Sequence, residues 1–348
     1  MSPPQLRDDL SRRGFPAYRA EQLLNWVFEK KERDFTRMTN LPQALREELS
    51  AHFVVGRGTV AQAVWSSDGK TGKLLLVLED GARIEAVSMR ESGRHAACIS
   101  SQWGCAMGCT FCATGDMGFR RNLSSAEILL QVLEIERCFA PVDRIVYMGM
   151  GEPLLNSDNV FESVEALTDT ERFGIGSRRI TISTCGIIPG MEAMASGGIP
   201  VRLAVSLNSP FQPQREELMP IARRFPLDHL LDVCETYSKR TGRRVMLEYV
   251  LFHEVNSSRG AALELARIAK RLRAKVNLIQ YNAVQDAPFR SPGTCETNRF
   301  RDWLSEAGIA VTIRYRRGRE ILAGCGQLAG RESQVIGGDS EQDGMGPC

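Results

Sequence analysis

The sequence predicts an α/β fold: six βα units curved into a partial barrel, preceded by an accessory domain of helices and a small sheet. Three observations support this prediction. Residues 17–53 repeat apolar side chains at helical spacing. Between Val60 and Met89 the pattern changes to short alternating or apolar runs separated by turn residues. From Cys98 onward, apolar runs alternate with amphipathic helical stretches, which is typical of a parallel sheet.

Length and composition fit one large domain and one smaller domain. The chain has 348 residues, and its 43% hydrophobic and 25% charged residues are the balance of an ordinary globule. We therefore predict an accessory domain at residues 1–90, a core at 91–331 and a disordered acidic tail at 332–348. No segment has the apolar length of a membrane span, and the polar N-terminus lacks a signal-peptide core. We expect a cytoplasmic protein whose cysteines are free, metal-bound or redox-active.

The accessory domain is predicted from two helices and three strands. Leu23, Leu24, Val27 and Phe28 form an apolar stripe in the first helix, and a similar stripe follows at residues 41–53. The runs AQAVW, KLLLVLE and RIEAVSM then predict strands separated by the turns SSDGKTG and DGA. Such a unit could hold RNA or merely pack on the core.

In the core, seven runs predict strands, of which the first six belong to βα units. They are residues 96–101, 144–148, 179–183, 201–207, 244–252, 275–281 and, as an additional strand, 311–315. The helix after the first strand is the clearest, because Ser124 and Glu127 form a capping box ahead of an apolar stripe. Ligands of such a sheet bind at the carboxyl ends of the strands.

A cysteine loop follows the first core strand and predicts a metal centre. Cys105, Cys109 and Cys112 stand in a CxxxCxxC spacing among glycines, and three thiolates suit zinc or iron–sulfur chemistry. Zinc sites and ferredoxin clusters close with a fourth ligand, and none of the four histidines is placed to supply it. The alternative is a structural metal site or inert buried thiols. The spacing, with Phe111 beside the last cysteine, resembles the radical SAM superfamily, in which S-adenosylmethionine chelates the open iron.

Polar residues end several core strands and outline a pocket for a nucleoside cofactor. Taken singly, each is more typical of a turn or a helix cap. They are Gly151 and Glu152 in GMGEP, Ser183, the run Ser206, Leu207 and Asn208, and Asn282.

Two further cysteines stand out by their context. Cys98 precedes the cysteine loop by seven residues, which is too far to be a ligand from the same loop. Cys325 lies between two glycines in AGCGQLAG, which favours an accessible sulfur. The alternative is that Cys98 and Cys325 are small buried residues without a chemical role.

Charge gives weak support for a polyanionic partner. The formal net charge is +2, but without the acidic tail the rest of the chain is more basic. Basic clusters can bind a polyanion, or they can simply form a solvated surface. Basic clusters recur at residues 120–121, 178–179, 223–224, 239–244 and 314–319.

Many motifs in one order resemble the RlmN/Cfr family of radical SAM RNA methyltransferases. The likeness covers roughly residues 17–331. It includes YRAEQL, FTRMTNLPQALREEL, CISSQWGCAMGCTFCATGDMGFRRNL, MGMGEPLLN, RRITISTCGIIPG, AVSLNSP with ELMPI, and RRGREILAGCGQLAG. The last of these is the most telling, because generic radical SAM enzymes lack this cysteine loop.

The resemblance implies a mechanism and a set of partners. Cys105, Cys109 and Cys112 would hold one [4Fe–4S] cluster per chain, and the strand-end residues would bind S-adenosylmethionine. In the family, the mobile cysteine, here Cys325, is methylated, a 5′-deoxyadenosyl radical takes a hydrogen from that methyl group, and the resulting radical adds to adenine. Glu85 would remove the ring proton, and Cys98 would release the product through a transient disulfide. An RNA substrate, an external flavodoxin-type electron donor and a monomer are expected.

Asn208 and the choice of ring carbon are the two points where the resemblance is less specific. The family usually has histidine at position 208, and asparagine also hydrogen-bonds. The RlmN branch methylates C2 of adenine in rRNA and tRNA, and the Cfr branch methylates C8 in rRNA. Motifs of both branches occur here, and we favour C2 over C8. The alternatives are another radical SAM RNA-modifying enzyme and a non-enzymatic, metal-containing RNA-binding protein.

Overall fold

The computed structural model describes residues 1–91, 93–199, 201–284, 287–314 and 318–330. The N-terminal helices have an apolar core of their own, which includes Leu10, Leu23 and Leu45 and is joined by Leu133 from a later helix. They are α1 (Pro3–Arg12), α2 (Arg19–Leu24, continued by a π-helical turn at Asn25–Glu29) and α3 (Gln43–His52), with a 3₁₀ turn at Phe35–Arg37. Helix α1 was not predicted individually, although Ser2 and Gln5 form a capping box there.

Three antiparallel strands follow, as the sequence predicts. They are β1 (Gly58–Trp65), β2 (Thr71–Leu78) and β3 (Arg83–Glu91). Strand β3 also pairs antiparallel with β4 (Arg94–Ile99), the first core strand, so that Val87 lies opposite Cys98. The accessory strands and the core therefore share one sheet. A domain boundary near residue 90 would fall within this sheet, and it stays a prediction.

The core alternates strands and helices. In chain order these are β5 (Gln102–Gly104), α4 (Ala113–Asp116), β6 (Phe119–Asn122), α5 (Ser125–Cys138), β7 (Arg144–Tyr147), α6 (Ser157–Thr168), β8 (Ile180–Thr184), α7 (Ile188–Ser196), β9 (Arg202–Ser206), α8 (Gln212–Leu218), α9 (Leu227–Thr241), β10 (Met246–Leu251), α10 (Arg259–Leu272), β11 (Lys275–Gln280), α11 (Thr294–Glu306) and β12 (Val311–Arg314). Short 3₁₀ turns lie at Pro153–Leu155, Ser177–Arg179, Pro220–Arg223 and Arg319–Ile321.

One ten-stranded sheet has the order β1-β2-β3-β4-β7-β8-β9-β10-β11-β12. From β4 onward all neighbours are parallel. Because each connection leads to the adjacent strand, right-handed crossovers place the helices on one face of the sheet. This arrangement confirms the predicted α/β fold.

The parallel core strands other than the edge strand β12 are mostly buried, so polar residues within them are informative. Ile180, Leu203 and Leu247 have no exposed surface, as expected for a covered parallel sheet. Glu248 and Asn277 are nevertheless buried in mid-strand, where only a site or a hydrogen-bond network would favour them. None of the helices in the described part of the chain is long and apolar enough to cross a membrane.

The cytoplasmic location and the monomeric state stay predictions. The predicted disordered tail lies outside the described residues.

Candidate active site

The cysteine loop is closed at its base by a short hairpin and a tight glycine contact. Strands β5 and β6 pair antiparallel on either side of the loop, and the Cys105 N–H donates to the Gly118 carbonyl at 3.1 Å. Gly104 has a φ of +76°, and a Cβ there would lie 1.8 Å from the Gly118 oxygen. Only glycine permits this closure.

The three predicted ligands line one cavity of about 150 Å³. Cys105 and Cys109 are buried, and Cys112 is half-buried. Burial raises the pKa of Cys105 to about 12 and that of Cys112 to about 11. Without metal, the thiols of Cys105 and Cys112 therefore stay protonated at neutral pH, and ligation must displace their protons.

This donor set fits a four-iron cluster better than a single ion. Among the residues that the structure describes, no group of three or more Cys, His, Asp or Glu side chains is arranged to hold one metal ion. In a four-iron cluster each thiolate binds a different iron, so the sulfurs do not need to converge as ligands of one ion do. Three soft donors around one cavity therefore suit such a cluster and leave a coordination position for a small molecule.

Five of the seven predicted cofactor-binding residues line the same cavity. These are Gly151, Glu152, Ser183, Ser206 and Asn208. Gly151 has a φ of +98°, and a Cβ there would lie 2.5 Å from the Gln102 Cβ, so glycine is required. Leu207 is fully buried and, like Asn282, is outside the lining.

Glu152 is a buried carboxylate at the carboxyl end of β7. It accepts hydrogen bonds from the backbone N–H of Cys185 at 2.7 Å and of Leu154 at 3.1 Å. Burial raises its pKa, and these hydrogen bonds oppose the rise. The carboxylate thus ties the loop after β8 to the loop after β7.

Asn208 has a structural role that the sequence did not reveal. Its φ is +57°, a conformation that asparagine tolerates better than most residues. Its side-chain oxygen accepts from the Val250 N–H at 2.9 Å, and its amide donates to the Met219 sulfur at 3.1 Å. The amide is therefore used within the protein, which leaves the backbone as the simplest route of contact with a cofactor.

Asn282 lies beside the cavity, next to the loop that carries Cys325. Its amide nitrogen donates to the Cys325 carbonyl at 3.3 Å. Its side-chain oxygen is buried and has no hydrogen-bond partner within the described chain. Such an atom is costly unless a donor satisfies it, so it suits a hydroxyl or amino group of a ligand.

Cys325 links this cavity to a second one. It lines both the cavity of the three cysteines and a neighbouring cavity of about 90 Å³. The smaller cavity also contains Cys98, Cys112 and Arg314. The structure thus brings together residues that lie more than two hundred positions apart in the chain.

Cys98 and Cys325, the two thiols predicted to act outside the cluster, differ in their surroundings. Cys325 is exposed and Cys98 is buried. Burial, together with Cys325, raises the pKa of Cys98 to about 12. The pKa of Cys325 is also raised by desolvation, and the positive charge of Arg314 opposes that rise. Cys325 is therefore the easier of the two to use as a nucleophile.

Glu85 is the one predicted catalytic residue that lines neither cavity. It is buried on β3, where its carboxylate lies 2.8 Å from the Lys73 ammonium. The other carboxylate oxygen accepts from the N–H groups of Ala329 at 2.7 Å and Gly330 at 3.1 Å. In this conformation Glu85 fastens the end of the Cys325 loop.

Two further residues of the cavity were missed by the sequence analysis. Glu248 accepts from the Ser183 hydroxyl at 2.9 Å, and its position within an apolar strand was the available signal. Cys185 lines the same cavity as Cys109. Only its place in STCGIIPG, after a strand, could have pointed to it.

Comparisons with known proteins agree with this geometry. The profile of the Radical SAM superfamily matches residues 99–266, and the profile of the ribosomal RNA large subunit methyltransferase N-terminal domain matches residues 1–55. A crystal structure of a radical SAM methyltransferase from Sphaerobacter thermophilus is similar, with a TM-score of 0.92 and 40% identity, over 95% of this chain and 98% of that one. The fold and the three-cysteine cavity therefore define a radical SAM methyltransferase.

Curated relatives show to which family of radical SAM methyltransferases the chain belongs. A probable dual-specificity RNA methyltransferase RlmN from Chlorobium phaeovibrioides is 46% identical and covers 94% of this chain and 91% of its own length. The same named protein from Symbiobacterium thermophilum is 43% identical, with 95% and 90% covered. The chain belongs to the RlmN family of radical SAM RNA methyltransferases. This confirms the predicted enzyme class, and the family implies an iron–sulfur cluster and S-adenosylmethionine.

Proposed function

We propose that this enzyme methylates C2 of adenosine in RNA through a methyl group carried on Cys325. One observation carries the proposal: Cys325 borders both the cavity of the three cysteines and the cavity of Cys98. A carrier must meet a methyl donor on one side and a resolving thiol on the other. In the described chain, the only other cysteine that lines both cavities is Cys112, and Cys112 is assigned to the cluster.

The larger cavity is proposed to hold both cofactors. Cys105, Cys109 and Cys112 would bind a [4Fe–4S] cluster, and the strand-end residues Gly151, Glu152, Ser183, Ser206 and Asn208, with the adjacent Leu207 and Asn282, would surround S-adenosylmethionine. When bound, these groups supply the methyl group and the radical chemistry that an unreactive aromatic carbon requires. The residues of the chain orient the donor and exclude water.

Cys325 would accept the methyl group on its sulfur. Arg314 lines the smaller cavity together with this sulfur, so its positive charge stabilises the thiolate that must attack the donor. After carbon–carbon bond formation, loss of the ring proton and of one electron, for which the iron–sulfur centre would be the acceptor, would leave the adenine attached to Cys325 through its methylene group. Attack by the Cys98 thiolate on the Cys325 sulfur forms a Cys98–Cys325 disulfide as the sulfur–carbon bond breaks, and the released carbon takes up a proton to become the methyl group of the product.

Glu85 is retained as the proposed base for the ring proton. Its carboxylate is held by Lys73 and by two N–H groups of the Cys325 loop. A base must reach the proton that it removes. We therefore propose that Glu85 acts only after this loop has released it, which would link base activity to movement of the methyl carrier.

The RNA substrate is proposed from the relatives, which are named dual-specificity RNA methyltransferases. We propose adenosine in 23S rRNA and in tRNA as targets, and an external flavodoxin-type donor as the source of electrons. The RlmN branch supports C2 over C8.

Mass spectrometry of nucleosides tests the proposal. The reconstituted enzyme, reduced anaerobically and given S-adenosylmethionine with 23S rRNA or tRNA, should produce 2-methyladenosine. C325A should abolish this product, and C98A should accumulate enzyme crosslinked to RNA. C138A is the control, because Cys138 lies on α5 outside both cavities. Formation of 8-methyladenosine would move the assignment to C8, and full methylation by C325A would overturn the carrier role.

A further inference from the structure

Arg215 is a buried cation without a counter-ion among the residues that the structure describes. It lies on α8 and has no exposed surface. One guanidinium nitrogen, Nη2, donates to the Cys185 carbonyl at 2.7 Å. The Nε and Nη1 groups are buried and have no hydrogen-bond partner within the described chain. Burying an unpaired charge is strongly unfavourable, so this arrangement requires an explanation.

The groups around Arg215 that can carry negative charge are cysteines. Cys185, Cys109 and Cys234 all favour its charged form. Of these, Cys109 is assigned to the cluster, and Cys185 lines the same cavity as Cys109. The guanidinium therefore lies behind the wall of the cluster cavity, on the side of Cys109.

The helix that carries Arg215 is joined directly to the cysteine loop. Thr110 donates to the Leu218 carbonyl through its backbone N–H at 3.1 Å and through its hydroxyl at 3.3 Å. Leu218 is the last residue of α8. The position of the charge is thus fixed relative to the residues on either side of Thr110, which are the ligand Cys109 and Phe111.

We propose that Arg215 is the fixed counter-charge of the iron–sulfur cluster and raises its reduction potential. Three thiolates around a four-iron cluster give an anionic centre, which supplies the charge that the guanidinium lacks. Reduction adds one electron, so a nearby positive charge stabilises the reduced form more than the oxidised form. This role rests on the cluster assignment of the proposed function. It makes Arg215 a positioning residue that acts through the cluster, since it does not line the cavity.

Redox titration of the reconstituted full-length protein, followed by electron paramagnetic resonance, tests the role. R215M removes the positive charge and keeps an unbranched side chain, and R215K keeps a positive charge but loses the planar guanidinium group. We expect R215M to shift the midpoint potential to a more negative value and R215K to shift it less. R223M is the matched control, because Arg223 is exposed on the neighbouring turn, and its potential should equal that of the wild type.

Iron and sulfide content and circular dichroism identify which variants are folded and loaded. Loaded R215M with an unchanged potential would overturn the proposal, as would an equal shift in R215K and R215M. If neither variant folds, the wild type decides: with ¹⁵N-labelled arginine, the reduced cluster should show a ¹⁵N hyperfine coupling, and its absence would overturn the proposal. A wild-type protein that takes up no cluster contradicts the proposed function instead.

Discussion

Two glycine-containing loops meet at the active site, and they are held in different ways. The cluster loop, residues 105–118, is closed mainly by its own hydrogen bonds, such as Cys112 N–H to the Cys109 carbonyl at 3.1 Å and Gly115 N–H to the Cys112 carbonyl at 2.9 Å. The carrier loop, residues 318–330, is held mostly by distant parts of the chain. The Ala113 N–H donates to the Gly326 carbonyl at 2.8 Å, and Glu85 accepts from the loop end.

This difference matches the two tasks. A loop that binds a cluster gains from a fixed shape, because its ligands must be in place before metal arrives. A loop that carries a methyl group between two reaction partners gains from contacts that can be broken singly. We therefore expect substitutions in the cluster loop to abolish metal binding, and substitutions around the carrier loop to change its release and its chemistry.

The largest effect is expected from G104A. The new Cβ would lie 1.8 Å from the Gly118 oxygen, so the loop base cannot close, and iron uptake should fall to background. G118A is the control: Gly118 also has a positive φ, +65°, but its Cβ position has no atom within 4 Å. Its cost should be about 1–2 kcal/mol of strain, with iron retained. Normal iron content in G104A would show that the closure is not needed.

The next effect concerns the Glu85 contacts. E85L leaves Lys73 buried without its partner and should cost about 3–5 kcal/mol in the free energy of unfolding. K73M/E85L should recover much of this loss, since both charges are gone. Denaturant unfolding measures the stability, and hydrogen exchange of residues 318–330 should increase in both variants. A double variant as unstable as E85L would contradict the ion-pair explanation.

The pH dependence of product release follows from Cys98. Cys105 and Cys112 also have raised pKa values, but metal replaces their protons, whereas Cys98 is not assigned to the metal. With a pKa raised to about 12, its thiolate fraction increases with pH up to that value, by about tenfold per pH unit. The decay of the crosslinked enzyme–RNA species, followed by quenched-flow, should accelerate accordingly between pH 7 and 9. A plateau in that range would contradict thiolate attack by Cys98.

The smallest effect is expected where the two loops touch. The buried Thr114 hydroxyl donates to the Leu328 carbonyl at 2.6 Å, and T114V should cost about 1 kcal/mol. Hydrogen exchange of the carrier loop should increase while iron content stays unchanged. T110V removes a comparable hydroxyl contact, to Leu218, and should leave carrier-loop exchange unaltered. Equal exchange in both variants would mean that Thr114 does not hold the carrier loop.

Much of the fold could be predicted because the periodicity of apolar residues and the positions of turn residues are local signals in the sequence. The seven core strands of the large sheet follow from apolar runs, whereas the short strands β5 and β6 were not predicted. Helix α5 follows from Ser124 and Glu127, whose capping contact is present with the Ser124 N–H at 2.8 Å from the Glu127 carboxylate. The pairing of β3 with β4 could not be predicted, because nothing local distinguishes two separate sheets from one continuous sheet.

The site could be predicted where the residue type and its spacing in the sequence together indicate a metal ligand, as for Cys105, Cys109 and Cys112. It was not predictable where a role depends on a neighbour distant in sequence. Glu85 was given a catalytic role by resemblance alone, and its contacts with Ala329 and Gly330 span 244 and 245 positions. Arg215 was not singled out, because an arginine on a short helix is usually a surface residue.

The contacts between Glu85 and the carrier loop also bear on the order in which the chain acquires its structure during synthesis. Domains generally form as they emerge, from the N-terminal end onward. The three cluster cysteines and the core strands β4–β12 precede Cys325 in the chain. A nascent chain can therefore form every part of the cluster cavity except Cys325 and Gly326 before it contains the segment that contacts Glu85. The methyl-carrying sulfur enters a scaffold that is already assembled.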